Sequence, residues 1–280
     1  MTPRAPAVVA ALACGALLVS CSGTARAPGD AARQDPGPGE YLAGHEAVVD
    51  LPSTEPSAVV VLVPGGGWST ADPTGLRPLA AALAEAGLAV VTITYGTSST
   101  GDVYPRPLDD VACAVAFAAE QVPGLPVVLV GHSAGAHLSA MAGLLPDRDD
   151  PECPYSPHQA DAVVGLAGPY DVGFTGEYGE HLFGVPKNQD PGLWREGNPH
   201  TWVAERPDLP FLLVHGTVDS LAGVFFTEDM ADALEGAGHP VTVELLPGRE
   251  HNDVFLPEVV ADLLVAWVLR TVAGGAPATV

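Results

Sequence analysis

Ser133 stands at the centre of GHSAG, Gly131–Gly135, a string that can present a nucleophile. The chain also holds 32 glycines, so the string alone is weak. Its context carries more. PVVLV, Pro126–Val130, precedes it and reads as a buried strand; AHLSAMAGLL, Ala136–Leu145, follows with helical character. A tight strand–turn–helix lifts a serine hydroxyl above the sheet edge. Flanking glycines permit close backbone approach, and the next residue's N–H is aimed at a developing oxyanion. The bland alternative is an ordinary loop serine.

Upstream, VLVPGGGWS places Gly65, Gly66 and Gly67 at the end of another apolar run. Backbone N–H groups of such a loop can face a negative oxygen. A phosphate-binding loop is the competing reading, but no G-x-x-x-x-G-K-[ST] follows and the nearest base is Arg77. A serine also needs a base, and an imidazole needs an orienting acid. LLVHGTVDS puts Asp219 just past a strand-like run, and LLPGREHNDVF puts His251 after the last one. The order is Ser, Asp, His, each at the C-terminal end of a strand, where topology gathers loops along one edge. Taken singly, Asp219 reads as a turn former and His251 as a surface cap. Asp171 is the rival acid. His215 and His239 have strand-end and helix-end explanations, while His132 and His137 come too early in the chain to be the base.

The elements that position these residues are legible from Glu46 onward. Short runs of Val, Leu and Ile recur: EAVVDLP, AVVVLVPGG, LAVVTITY, PVVLVGHS, AVVGLAGPYD, FLLVHGTVD and VTVELLPG. Most are continuously apolar, as in strands covered on both faces. Helical patterns alternate with them: LRPLAAALAEAG ending at Gly87, LDDVACAVAFAAEQ, TEDMADALEGAG with Thr227 as its expected cap, and LPEVVADLLVAWVLRTV. The alternation implies an α/β fold with a mostly parallel sheet and helices on both faces. One long interruption, Asp171–Leu209, carries Phe174, Tyr178, Phe183, Trp194 and Trp202. Segments of that length inside compact domains are usually functional. Most of its aromatics are expected to pack the segment down; a subset facing Ser133 would form an apolar wall. GEYGEHLFG is broken by glycines, so no long amphipathic lid helix is expected, and a compact pocket for short acyl groups is.

With these motifs in this order, Val59–Val268 resembles the α/β-hydrolase fold, and in particular bacterial carboxylesterases related to hormone-sensitive lipase and to kynurenine formamidase. The resemblance covers roughly three quarters of the chain. It implies Ser133 as nucleophile, His251 as base and Asp219 as acid. It implies the N–H groups of Gly66, Gly67 and Ala134 as the oxyanion hole, and ester hydrolysis without metal or cofactor. Three positions depart from the pattern. Pro64 stands where a histidine usually opens the glycine loop, so that loop must be held differently. Ala136 replaces a frequent glycine, and Gly96 follows Tyr95 where many relatives carry arginine.

Composition bounds the rest. The 280 residues are 47% hydrophobic, with 34 acids against 11 bases and a net charge of −23. No basic patch is available for nucleic acid. The start reads as a bacterial lipoprotein leader: MTPR, then the uncharged Ala5–Ser20, too short for a comfortable membrane span, then Cys21 after LVS. An ordinary secretory signal is the alternative. Residues 1–20 are thus expected to be removed, and 21–40 to form a lipidated cysteine and flexible tether, Gly- and Pro-rich through Glu40. The expected domain is 41–280, exported and held to the outer face of a membrane. Cys14 leaves with the leader, and Cys21 takes the lipid. Cys113 and Cys153 remain, an even pair that suggests a disulfide in an oxidising compartment. Two unrelated buried thiols would be the alternative. The S-x-x-K serine enzymes fail because the single lysine, Lys187, lies in VPKNQ, and no H-E-x-x-H occurs. Two other classes remain: an amidase, arylformamidase or peptidase on the same fold, and a non-catalytic binding lipoprotein. The expected partners are a small-molecule ester and, through Cys21, a membrane. Oligomeric state is not readable.

Overall fold

Valine-rich runs that are apolar on every residue can be buried only between two layers, and that is how they fold. In the computed structural model the described residues are 1–2, 39–146 and 150–272. The chain groups into two units, Met1–Arg33 and Gln34–Val280; the sheet belongs to the second. Cys21 and nearly all of the expected leader and tether lie outside the described residues.

The strands are β1 (Glu40–Leu42), β2 (His45–Asp50), β3 (Val59–Val63), β4 (Ala89–Ile93), β5 (Val127–His132), β6 (Ala162–Leu166), β7 (Phe211–Gly216) and β8 (Val241–Leu246). They form one sheet in the order β1-β2-β4-β3-β5-β6-β7-β8. β2 joins β1 and β4 antiparallel, and every other pairing is parallel. This is the α/β-hydrolase fold. Along β3, Val59, Val61 and Val63 enter one core layer while Val60 and Leu62 enter the other, the two-residue alternation of a strand. The first layer is closed by α2 (Arg106–Gln121), α3 (Ala134–Leu144) and α6 (Phe225–Ala237), and the second by α1 (Arg77–Glu85) and α7 (Pro257–Val272). The antiparallel β2 has no buried residue; half-buried and exposed positions alternate from His45 to Val48, as in a strand with one solvated face.

The interruption after β6 is not structureless. It holds two short helices, α4 (Glu177–Phe183) and α5 (Pro191–Glu196). The glycines of GEYGEHLFG frame α4: Gly176 and Gly184, with φ of +58° and +70°, lie just outside its ends. Gly179 sits inside it because a Cβ there would meet the Trp194 ring at 2.4 Å. Two other readings are corrected, and the expected Cys113–Cys153 bridge is present. Glu40, placed in the expected tether, instead opens β1. The next residue, Tyr41, is fully buried and donates to the Thr94 carbonyl at 2.8 Å. Strand β1 itself is too short for any periodicity to reveal. Thr227 does not cap α6; the helix begins at Phe225, and the Thr227 hydroxyl turns inward to His215 Nδ1 at 2.7 Å. Cys113 on α2 is bridged to Cys153 across 40 residues. Among the described residues no helix is long and apolar enough to cross a membrane.

Candidate active site

From β3 the chain passes to β4 on one side, while β5 lies on the other. Loops leaving β3 and β5 therefore diverge and open a crevice above their C-terminal ends, the usual ligand position in such sheets. Val63 is the register partner of Gly131, so the glycine loop and the GHSAG turn start at the same height.

Ser133 has φ 53° and ψ −121°, a strained conformation for a residue with a Cβ. It is tolerated because its surroundings leave no alternative. The Ser133 N–H donates to the Leu166 carbonyl at 2.8 Å, and α3 begins at the next residue. The flanking glycines answer contact requirements. A Cβ on Gly131 would meet the Gly135 carbonyl oxygen at 2.2 Å, and one on Gly135 would meet that of Val63 at 2.3 Å.

Pro64 cannot make an imidazole's bonds, and the glycine loop is held in three other ways. The buried Tyr95 hydroxyl donates to the Pro64 carbonyl at 2.9 Å. The N–H groups of Ser69 and Thr70 close back onto the Gly66 carbonyl. Trp68, itself at φ 56°, donates from Nε1 to His137 Nδ1 at 3.3 Å. An indole nitrogen only donates, so His137 Nδ1 accepts and its Nε2 carries the proton, which goes to the Gly197 carbonyl at 2.9 Å. Burial pushes the His137 pKa down to about 4, which keeps the ring neutral in this role. The N–H groups of Gly66, Gly67 and Ala134 have no acceptor among the described residues.

Asp219, past the end of β7, accepts from the N–H groups of Leu221 and Ala222 through Oδ1, at 2.9 and 2.8 Å. Its Oδ2 lies 2.6 Å from His251 Nδ1. Burial alone would raise the Asp219 pKa. The Ala222 N–H, His251 and the Leu221 N–H outweigh burial and hold it below the usual carboxylate value. An ionised carboxylate only accepts, so His251 Nδ1 carries the proton and Nε2 is left as a base. The rival Asp171 is engaged elsewhere: its Oδ1 accepts from the Gly173 N–H at 2.9 Å and from Asn198 at 2.8 Å.

Ser133, Ala134, Gly66, Gly67 and His251 line one cavity of about 440 Å³. No hydrogen bond joins the Ser133 hydroxyl to His251 among the described residues; such bonds commonly tighten only when substrate is bound. The aromatics of the long segment divide. Phe183 and Trp194 are buried against each other, with centroids 4.6 Å apart. Phe174 and Tyr178 line the cavity with Leu221, Phe226 and Phe255. Among the described residues no group of three or more His, Cys, Asp or Glu side chains could hold a metal ion.

A serine, a histidine backed by a buried carboxylate, and N–H groups without an acceptor among the described residues are thus gathered at one cavity, an arrangement able to open an acyl bond. Residues 49–234 match the family model BD-FAE. The chain belongs to the BD-FAE family. The match includes Ser133 and Asp219 and stops before His251, which the fold brings in from the loop after β8. Among curated relatives, Esterase LipQ of Mycobacterium tuberculosis (strain ATCC 25618 / H37Rv) is 30% identical over 244 residues, covering 77% of this chain and 55% of LipQ. The chain spans about half the length of the curated relatives it matches. Among solved structures, a truncated carbohydrate esterase from gut microbiota superposes with a TM-score of 0.72 at 22% identity, covering 84% of this chain and 94% of that one. A propionate-bound thermophilic esterase of Thermogutta terrifontis does so at 0.68 and 18%, covering 83% and 92%. At these identities the structures establish the shared fold.

Three residues of this BD-FAE site escape a motif reading. His132 and His137 look like neighbours of the serine, yet one bonds the His251 backbone and the other supports the glycine loop through Trp68. Tyr95 is a strand-end aromatic whose hydroxyl partner lies 31 residues away. Local pattern carries no signal for such long-range polar pairs.

Proposed function

We propose that this chain is a serine carboxylesterase acting through an acyl-enzyme. Ser133 Oγ attacks the acyl carbon while His251 Nε2 takes its proton. Asp219 holds His251 in the tautomer with the proton on Nδ1 and stabilises the imidazolium. Charge on the carbonyl oxygen is received by the N–H groups of Gly66, Gly67 and Ala134. His251 then protonates the leaving alcohol, and a water activated by the same ring releases the acid. The observation that carries this reading is the shared cavity: Ser133 on its strained turn and His251, backed by Asp219 at 2.6 Å, line the same space.

The wall of Phe174, Tyr178, Leu221, Phe226 and Phe255 favours apolar groups, and about 440 Å³ suits a small ester. α4 and α5 are short and anchored by Phe183 and Trp194, which argues against a lipase-type lid. The substrate class is therefore short-chain esters. The propionate held by the related T. terrifontis fold agrees with that size. For location, MTPR, the uncharged Ala5–Ser20 and Cys21 support export and lipid attachment at the outer face of a membrane. The test is a rate profile of the full chain on matched aryl esters of increasing acyl length, beside the corresponding anilide. The reading requires a maximum at short acyl chains and ester faster than amide. A profile rising toward long chains, or a faster anilide, contradicts it.

A further inference from the structure

We propose that His215 is a positioning residue that fixes the Asp219 carboxylate, sharing its Oδ2 with His251; the proposal rests on the esterase reading above. His215 lies at the end of β7, fully excluded from solvent, four residues before Asp219. Its Nε2 lies 2.8 Å from the Ala222 carbonyl oxygen and 3.2 Å from Asp219 Oδ2. Both can only accept, so Nε2 carries a proton and shares it between them. Its Nδ1 lies 2.7 Å from the buried Thr227 hydroxyl on α6, which supplies the hydrogen that a neutral ring needs there. Burial lowers the His215 pKa, in keeping with a neutral ring. The tautomer is thus set from both sides.

The consequence is a closed circuit around the acid. Ala222 gives its N–H to Asp219 Oδ1 and its carbonyl to His215. Asp219 Oδ2 is shared by two imidazoles, His251 at 2.6 Å and His215 at 3.2 Å. His215 therefore ties a loop carboxylate to the buried strand β7 and to α6, so the plane of the carboxylate is set by the core. It also draws on the lone pairs that Asp219 offers to His251, which lessens the pull of Oδ2 on the His251 proton. The ionisable groups facing His215 are Asp219, His251 and, farther off, His132.

The test compares His215→Phe with His215→Gln in the full chain, with rates divided by the active sites that a phosphonate titrates. His215→Phe keeps the bulk but has no donor. The expected fall is about 10- to 100-fold in kcat with little change in KM, the kinetic equivalent of a hydrogen bond lost from a charged acceptor. The acid limb of kcat/KM should move to higher pH, because an unshared Oδ2 holds the His251 proton more tightly. His215→Gln, with an amide N–H in the Nε2 position, should restore both. A residue that merely fills the core would change the titrated fraction and leave kcat per site and the acid limb alone. If His215→Phe does not fold, Thr227→Val serves: loss of the hydroxyl should lower kcat about threefold and move the acid limb the same way. Unchanged kcat and limb in the folded variant, or equal defects in Phe and Gln, overturn the proposal. The esterase reading fails separately, through a Ser133→Ala chain that keeps its turnover.

Discussion

His132 Nε2 lies 3.1 Å from the carbonyl oxygen of His251, and the two rings stand 4.8 Å apart. A carbonyl only accepts, so Nε2 carries the His132 proton. His132, beside Ser133, thereby holds the backbone of His251, while Phe255 packs edge-on against the His132 ring. The end of β5 and a loop 119 residues later in the sequence are joined by that contact.

Neutral buried histidines give stability a pH dependence. Burial, and then the nearness of His251, pushes the His132 pKa down to about 3; burial pushes His137 to about 4. Between these values and 6.5 the unfolded chain binds protons that the folded chain does not. Stability must therefore fall as pH drops below 6.5, by up to about 1.4 kcal/mol per pH unit for each ring. Asp219, with its pKa held down, loses its contribution only in a lower window, below the ordinary carboxylate value. Urea midpoints measured from pH 7 to 4.5 should decline steadily. A flat series contradicts the burial of two neutral rings.

Asp219→Asn should lower kcat by up to about 10⁴, because an amide in that place favours the wrong imidazole tautomer. Asp171→Asn keeps an oxygen to accept from the Gly173 N–H and from Asn198, and Asn caps about as well as Asp, so both stability and kcat should be nearly unchanged. Steady-state kinetics of both variants settle the order. A larger kcat defect in Asp171→Asn reverses the assignment.

Tyr95→Phe removes the bond that holds Pro64. The buried Pro64 carbonyl then lacks its donor, at a cost of about 1–3 kcal/mol in stability. In the proposed mechanism the loop offers its N–H groups to the oxyanion, so kcat should fall more than KM rises. A Tyr95→Phe enzyme with unchanged kcat shows that the other anchors of the loop suffice.

The Cys113–Cys153 bridge closes a loop of 40 residues, worth about 4 kcal/mol in the chain-entropy model. Neither cysteine lines the candidate active site. Cys113→Ala with Cys153→Ala should lower the thermal midpoint and leave kcat at 25 °C unaltered. An unchanged midpoint contradicts the stabilising role.

Much of this architecture is legible in the sequence because it depends on local pattern. Continuous valine runs announce strands covered on both faces, and GHSAG between one such run and a helix announces the turn. Asp219 and His251 stand out by chain order and by following strands. What escapes depends on contacts between distant residues. Thr227 looks like a helix cap because it precedes acids, yet tertiary demand from His215 turns it inward. Phe174 and Phe183 are alike in sequence, and only the folded segment separates cavity wall from anchor. α4 hides behind its own glycines, one of which is set by the Trp194 ring.

The central claim is that Ser133 is the nucleophile, and labelling tests it most directly. The full chain treated with an aryl phosphonate and digested should carry one adduct, on the peptide containing GHSAG, with fragmentation placing it on Ser133. The Ser133→Ala chain should carry none and should lose ester turnover by several orders of magnitude. An adduct on another residue, or a Ser133→Ala chain that still hydrolyses esters at the parent rate, would contradict the account.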